Sequence, residues 1–133
     1  VLLDAFGSEK VPAHLTTLEF LEDVRRVLAP GGVVASNLWS SRYNPIYADM
    51  LATHRQAFAE VHVLETLREV NHVVLALGDA RRLDKPGLEA AARRLAVDAR
   101  LGFDLAELVG AGYRASADAA AAGCVLRDAD RAN

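Results

Sequence analysis

This chain has little of several things, and each scarcity narrows the reading. It holds one cysteine, Cys124, so no disulfide within the chain and no cysteine-based zinc cluster can form. A lone cysteine of this kind is expected as a small buried residue in a reducing compartment. No apolar run reaches the roughly 18 residues needed to span a bilayer. No basic, apolar, small-residue leader opens the chain, so a cytoplasmic location is expected. Positive charge is not in excess: the formal net charge is -3, which gives no electrostatic case for nucleic acid or an anionic membrane. There is no internal repeat and no linker rich enough to separate two domains. The chain begins with Val1 inside an apolar run, which reads as entry in mid-sheet and as a piece of a longer domain. A Gly-rich cradle after a first strand, and an acid at the end of the next, are the usual means of holding a nucleoside. Neither is found in this sequence.

What is present is the pattern of one α/β domain. The 133 residues are 52% hydrophobic and 25% charged, ordinary for a globular chain able to bury a core. Arginine greatly outnumbers lysine, and alanine is abundant, which reads first as genomic base composition. Val1-Leu2-Leu3 reads as a buried strand that delivers Asp4 to its carboxyl end, where open parallel sheets place ligands. A helix over 17–29 follows, with Thr16 and Glu19 at capping-box spacing and Leu15 and Phe20 at hydrophobic-staple spacing. Its inner face is Leu18, Leu21, Val24 and Leu28. Pro30-Gly31-Gly32 stops it, and 33–38 is a short apolar strand expected to run parallel to the first. Asn44 and Pro45 predict the cap and first position of a second helix, with Ile46, Met50, Leu51, His54 and Phe58 facing inward. The runs 61–66 and 70–77, separated by a short polar turn, predict an antiparallel hairpin. A third helix is expected over 86–101, with Leu88, Ala92, Leu95 and Ala99 on one face, and a short fourth over 103–109 ended by Gly110. From Ala115 the alanine-rich tail loses pattern. The expected division is a partial α/β domain at 1–114 and a poorly ordered tail at 115–133.

Several residues are candidates for chemistry. Asp4 reads either as a general base or amine-orienting carboxylate at the ligand-facing strand end, or as a turn residue without a substrate contact. His14, in the loop before the first helix, reads as a substrate contact or as a histidine bonded to backbone. His54, His62 and His72 lack metal spacing, so no metal site is expected. Trp39, Ser40, Ser41 and Tyr43 follow the second strand on the ligand side, where Trp39 walls a pocket or anchors a loop. Gly31-Gly32 is a helix exit, not a phosphate cradle. Nothing suggests acyl chemistry: there is no Gly-x-Ser-x-Gly elbow and no Cys/His pairing.

The wording D-A-F-x-S-x-x-x-V-P-A-H-L-T-T-x-E-F, Asp4 to Phe20, followed by L-A-P-G-G-V at Leu28 to Val33, resembles the spermidine synthase-like (polyamine synthase) family. Asn71 with the following HVVLAL is similar to the Gly-Asn-hydrophobic run of that family's penultimate strand. Cys124 to Asp128 resembles an altered form of its C-terminal Leu-Thr-Asp-Asp segment. The resemblance implies the C-terminal part of a Rossmann-like class I methyltransferase-type three-layer sandwich closed by an antiparallel hairpin, with the N-terminal cofactor-binding half absent. It implies aminopropyl transfer from decarboxylated S-adenosylmethionine to an amine, with no bound prosthetic group. Asp4 matches the aspartate thought to accept a proton from the attacking amine, since an ammonium is not a nucleophile. Pro12 and Ala13 match the loop against the adenine, beside His14. Gly7 stands at the spacing of the family's second aspartate, and Glu9 is the nearest acid. The partners implied are a small-molecule amine and a nucleoside, and the exposed flank of the leading strand adds pairing with a second copy. Two other readings stay open: an S-adenosylmethionine-dependent methyltransferase of the same fold, and a truncated, non-catalytic interaction module.

Overall fold

Parallel pairing joins the first two strands, β1 (Leu2–Leu3) and β2 (Val33–Trp39), with Leu2 opposite Ala35 and Leu3 opposite Ser36. The computed structural model that shows this describes residues 1–5, 11–68, 70–114 and 123–131. The connection between the two strands carries helix α1 (Leu18–Arg26). Beyond β2 the sheet turns antiparallel. β4 (Asn71–Leu77) pairs along the whole of β2 and, on its other side, with β3 (Glu60–Glu65). A two-residue strand, β5 (Tyr113–Arg114), adds to β3, so the order among the described residues is β1-β2-β4-β3-β5. The expected parallel pair and the expected antiparallel hairpin are both present, the hairpin with bounds 60–65 and 71–77.

The strands explain where the core sits. Alternation sends Val34, Ser36 and Leu38 of β2, and His72, Val74 and Ala76 of β4, to one buried face. Against it lie Leu18, Leu21 and Val24 of α1, and Tyr47, Met50 and Leu51 of helix α2 (Tyr47–Ala57). Leu21 and Leu51 are almost fully buried, and such a side chain contributes about 1.5–3 kcal/mol through burial. Among the described residues, the opposite face is covered toward β3. There helix α4 (Leu105–Gly112) contacts β3, and helix α3 (Lys85–Asp98) packs on α4.

Several local expectations shift. The N-cap of α1 is Thr17, whose hydroxyl accepts from the Phe20 amide at 3.4 Å, while Thr16 donates to the Ala13 carbonyl at 2.8 Å. Glu19 therefore does not close a capping box; it accepts from the Asp128 amide at 3.1 Å and faces Arg127 at 3.7 Å. α2 starts two residues beyond Pro45, capped by Ile46 without a side-chain bond, because Asn44 spends its side-chain oxygen on the Ile46 amide. α3 begins at Lys85 on an Asp84 cap that accepts from Gly87, and of its expected inner face only Ala92 is buried, with Leu95 exposed. α4 runs through Gly110 to Gly112, where a Cβ would stand 2.3 Å from the Glu65 carbonyl oxygen. That close approach demands glycine. Cys124 is exposed, not buried.

Of the tail, residues 123–131 are described, and they lie across the starts of α1 and α2. Leu126 accepts from the Leu18 amide at 2.8 Å and donates to Thr53 Oγ1 at 3.0 Å, and Cys124 donates to Asp49 at 2.7 Å. Residues 115–122 and the remaining expectations placed there lie outside the described residues.

Candidate functional site

Asp4 follows β1 directly and is exposed. Its neighbour in the sheet is Asn37 of β2, one position beyond the Leu3–Ser36 pair, so both side chains rise from the face that α1 and α2 leave uncovered. Asn37 donates to Asp4 Oδ1 at 2.9 Å, and Asn71 of β4 donates to Asn37 Oδ1 at 2.9 Å. Three strands thus supply one relay of side chains, Asn71 to Asn37 to Asp4. Asn37 can donate in the right direction because its own oxygen is already engaged by Asn71. The relay orients the carboxylate through one oxygen and leaves Oδ2 without a partner among the described residues. A carboxylate so held can accept a proton or orient an ammonium.

Near the end of β1, toward the face under α1 and α2, a small cavity of about 30 Å³ is lined by Leu3, Ala5, Val11, Leu15, Ser36 and His54, among others, and not by Asp4. Val11 and Leu15 bracket the loop of Pro12, Ala13 and His14, which forms a 3₁₀ turn at Ala13–Leu15. Pro12 and Ala13 are half-buried, and the His14 side chain is exposed. Asp4 and this loop therefore share one end of the sheet, with Val11 and Leu15 rather than Pro12 and Ala13 on the cavity wall. Glu9 and Gly7 lie outside the described residues.

Buried just behind the relay is a second polar pair. Ser36 Oγ lies 3.0 Å from His54 Nε2, and His54 Nδ1 lies 2.8 Å from the Met50 carbonyl. The carbonyl can only accept, so Nδ1 carries the proton and the Ser36 hydroxyl donates to Nε2. Burial holds His54 below the ordinary histidine value, against the weaker pull of the Met50 carbonyl. Burial thus disfavours its charged form inside the core.

A polar concavity of about 470 Å³ opens at the same end of the sheet, where β2 and β3 finish and β4 starts. Ser40, Ser41, Arg42 and Tyr43 line it from the segment after β2, Arg68 from the β3–β4 turn, and Arg114 from β5. Glu65 and His72 complete it, with Arg114 bound to Glu65 at 2.6 Å. His72 Nδ1 pairs with the Tyr47 hydroxyl at 2.5 Å, and burial together with the Glu65 carboxylate pushes the Tyr47 phenol up to about 12. Three of the four residues that sequence placed on the ligand side after β2, Ser40, Ser41 and Tyr43, do face a cavity. Trp39 closes β2 and is half-buried. No sequence motif joins the arginines at 42, 68 and 114.

His62 belongs elsewhere, near the start of β3. It meets Glu60 at 2.6 Å and Tyr113 at 3.4 Å. Burial pushes the Glu60 carboxyl up, but bonds from His62 and from the Arg82 and Leu83 amides outweigh it and leave the group below its ordinary value. Among the described residues no three His, Cys, Asp or Glu side chains converge as a metal-binding set. No helix among them is long and apolar enough to cross a membrane.

No family model matches the chain. The polyamine aminopropyltransferase of Vibrio vulnificus (strain CMCP6) is 36% identical over 78 residues, covering 58% of this chain and 25% of the relative. A crystal structure of a probable spermidine synthase from Corynebacterium glutamicum ATCC 13032 superposes with a TM-score of 0.66 at 21% identity, over 96% of this chain and 46% of that one. The chain thus spans about a quarter of the curated relative and under half of the solved structure. The second likeness carries the α/β fold, a mixed five-stranded sheet with four helices among the described residues. The sequence match, by itself, supports the spermidine synthase-like family that the opening residues resemble.

Proposed function

We propose that this chain supplies the C-terminal part of a Rossmann-like, class I methyltransferase-type α/β domain acting in aminopropyl transfer. The single observation that carries the reading is the Asn71–Asn37–Asp4 relay at the carboxyl end of the parallel pair β1 and β2. Ligands of open α/β sheets sit outside the carboxyl ends of the strands, and an exposed carboxylate oriented there by two amides is placed for a substrate.

The chemistry asks little of the protein beyond that. An amine nitrogen attacks the methylene carbon attached to the sulfonium of decarboxylated S-adenosylmethionine. The new C–N bond forms as the C–S bond breaks, and its electron pair leaves on sulfur as methylthioadenosine. The proton lost by the nitrogen passes to Asp4. The sulfonium is its own leaving group, so positioning and a proton acceptor supply the remainder. Pro12, Ala13 and His14, with Glu9 by the resemblance, are the residues assigned to the nucleoside and amine side. The working unit is residues 1–114, with 123–131 fastened against α1 and α2.

The test uses the longest continuous reading frame that contains this chain. Asp4→Asn keeps the shape of the site and removes the proton acceptor, so turnover is expected to fall by roughly 10²–10⁴-fold. Affinity for methylthioadenosine should change far less. An Asn variant turning over near the wild-type rate would remove Asp4, and aminopropyl transfer with it.

A further inference from the structure

The polar concavity at the ends of β2 and β3 has a charge that sets it apart from the rest of the molecule. Three guanidinium groups line it, from Arg42, Arg68 and Arg114, against one carboxylate, Glu65. Arg114 is bound to Glu65 and to the carbonyls of Ala111 and Tyr113, so those two charges answer each other. The surplus is Arg42 and Arg68. Arg42 lies over the Tyr43 ring at 5.9 Å, and Arg68 makes no hydrogen bond or ion pair among the described residues. A local surplus of two positive charges stands out in a chain of net charge -3. A second observation points the same way. Ser40 Oγ, in a residue 4% exposed, is buried without a hydrogen-bond partner among the described residues, and Ser40 lines this concavity. Ser36, His54, His62 and His72 are equally buried, and all are bonded. A buried hydroxyl left without a partner calls for a group that completes it.

We propose that this concavity binds an oxyanion, a carboxylate or phosphate borne by one of the two reacting molecules. The proposal rests on the group-transfer reading of the Asp4 site and narrows its substrate class. A plain diamine would bring its second ammonium against two guanidinium groups that have no acidic partner among the described residues, whereas an oxyanion gains charge-assisted bonds from them. The anion has two sources. It is the carboxylate of an amino-acid-like acceptor, or the carboxylate that an undecarboxylated S-adenosylmethionine donor retains.

Calorimetric titration of the protein from the longest continuous reading frame that contains this chain separates these outcomes. Inorganic phosphate is the minimal probe. It should bind, weaken as salt rises, and weaken about tenfold in Arg68→Gln, the scale of one charge-assisted bond lost. Arg42 and Arg68 are exposed, so Arg42→Gln and Arg68→Gln should melt with the wild type. Matched pairs then name the source. Preference for 4-aminobutyrate over 1,4-diaminobutane places the anion on the acceptor; preference for S-adenosylhomocysteine over methylthioadenosine places it on the donor. Phosphate affinity absent from the wild type, or unchanged in the double arginine variant, overturns the proposal. So does tighter binding of the diamine than of its carboxylate partner when neither nucleoside is preferred. Phosphate binding without discrimination in either pair overturns the assignment to a substrate. Retained phosphate binding with no affinity for methylthioadenosine defeats the aminopropyl reading alone, and the reverse pattern defeats this inference alone.

Discussion

The two faces of the sheet are built to different ends. On the face under α1 and α2, polar groups are enclosed and matched: Ser36 with His54, His72 with Tyr47. Their bonds satisfy what burial would otherwise strand, and they hold the strands to α2. The other face is covered by α4 only near β3. Toward β1 it carries Leu2, 83% exposed, and the half-buried Asn37, whose bond to Asp4 fixes a carboxylate in the open. Equivalent chemistry, an amide or imidazole bonded to a neighbour, is structural on one side and available to a ligand on the other. The difference is solvent access, not residue type.

Truncation of the covered face should produce the largest loss of stability. Leu51 is 0% exposed, so Leu51→Ala should destabilise by about 2–5 kcal/mol, read from denaturant midpoints. A smaller effect would mean that α2 closes over the gap. Next is Ser36→Ala, which leaves His54 Nε2 buried without a donor and should cost about 1–3 kcal/mol. The same pair sets a pH dependence. His54 is held below its ordinary value in the folded chain, so its neutral form favours folding. That contribution is complete above the unfolded value of about 6.5 and is lost as pH falls below it toward the folded value. The melting temperature should drop between pH 7 and 5, and His54→Gln should flatten the slope. An unchanged slope would place the titration at another group. Smallest is Leu2→Ser on the open face. It should move stability by no more than about 0.5 kcal/mol, and any gain in the monomer fraction by size exclusion would show that this face pairs copies.

Much of this division was legible in the residues. The recurrence of Leu18, Leu21 and Val24 marks α1, and the closeness of the two β-rich runs gives the hairpin. Asp4 could be placed at a strand end from Val1-Leu2-Leu3 alone. What the chain hides is set by partners distant in sequence. Thr16 and Thr17 are both able to cap, and the start of α1 is settled with Leu126 on the Leu18 amide and Glu19 drawn to Asp128. β5 is two residues long and exists only because Gly112 can approach Glu65. The arginine-lined concavity gathers residues 42, 68 and 114, a spacing that no local pattern carries. The amide relay is half visible in the sequence: Asn71 opens a β-rich run that the family resemblance marks, whereas Asn37 sits in a strand whose alternation is set by its apolar neighbours.

The segment at 123–131 has a consequence in time. Its bond from Asp128 to Glu19 spans 109 positions, and Leu126 supplies the acceptor for the Leu18 amide. During synthesis α1 leaves the ribosome well ahead of this segment, so these contacts at its first turn cannot form until the residues 109 positions further on have followed. Contacts of such separation are paid for in loop-closure entropy before they return anything. The crossover between β1 and β2 is therefore made before the segment that fastens it.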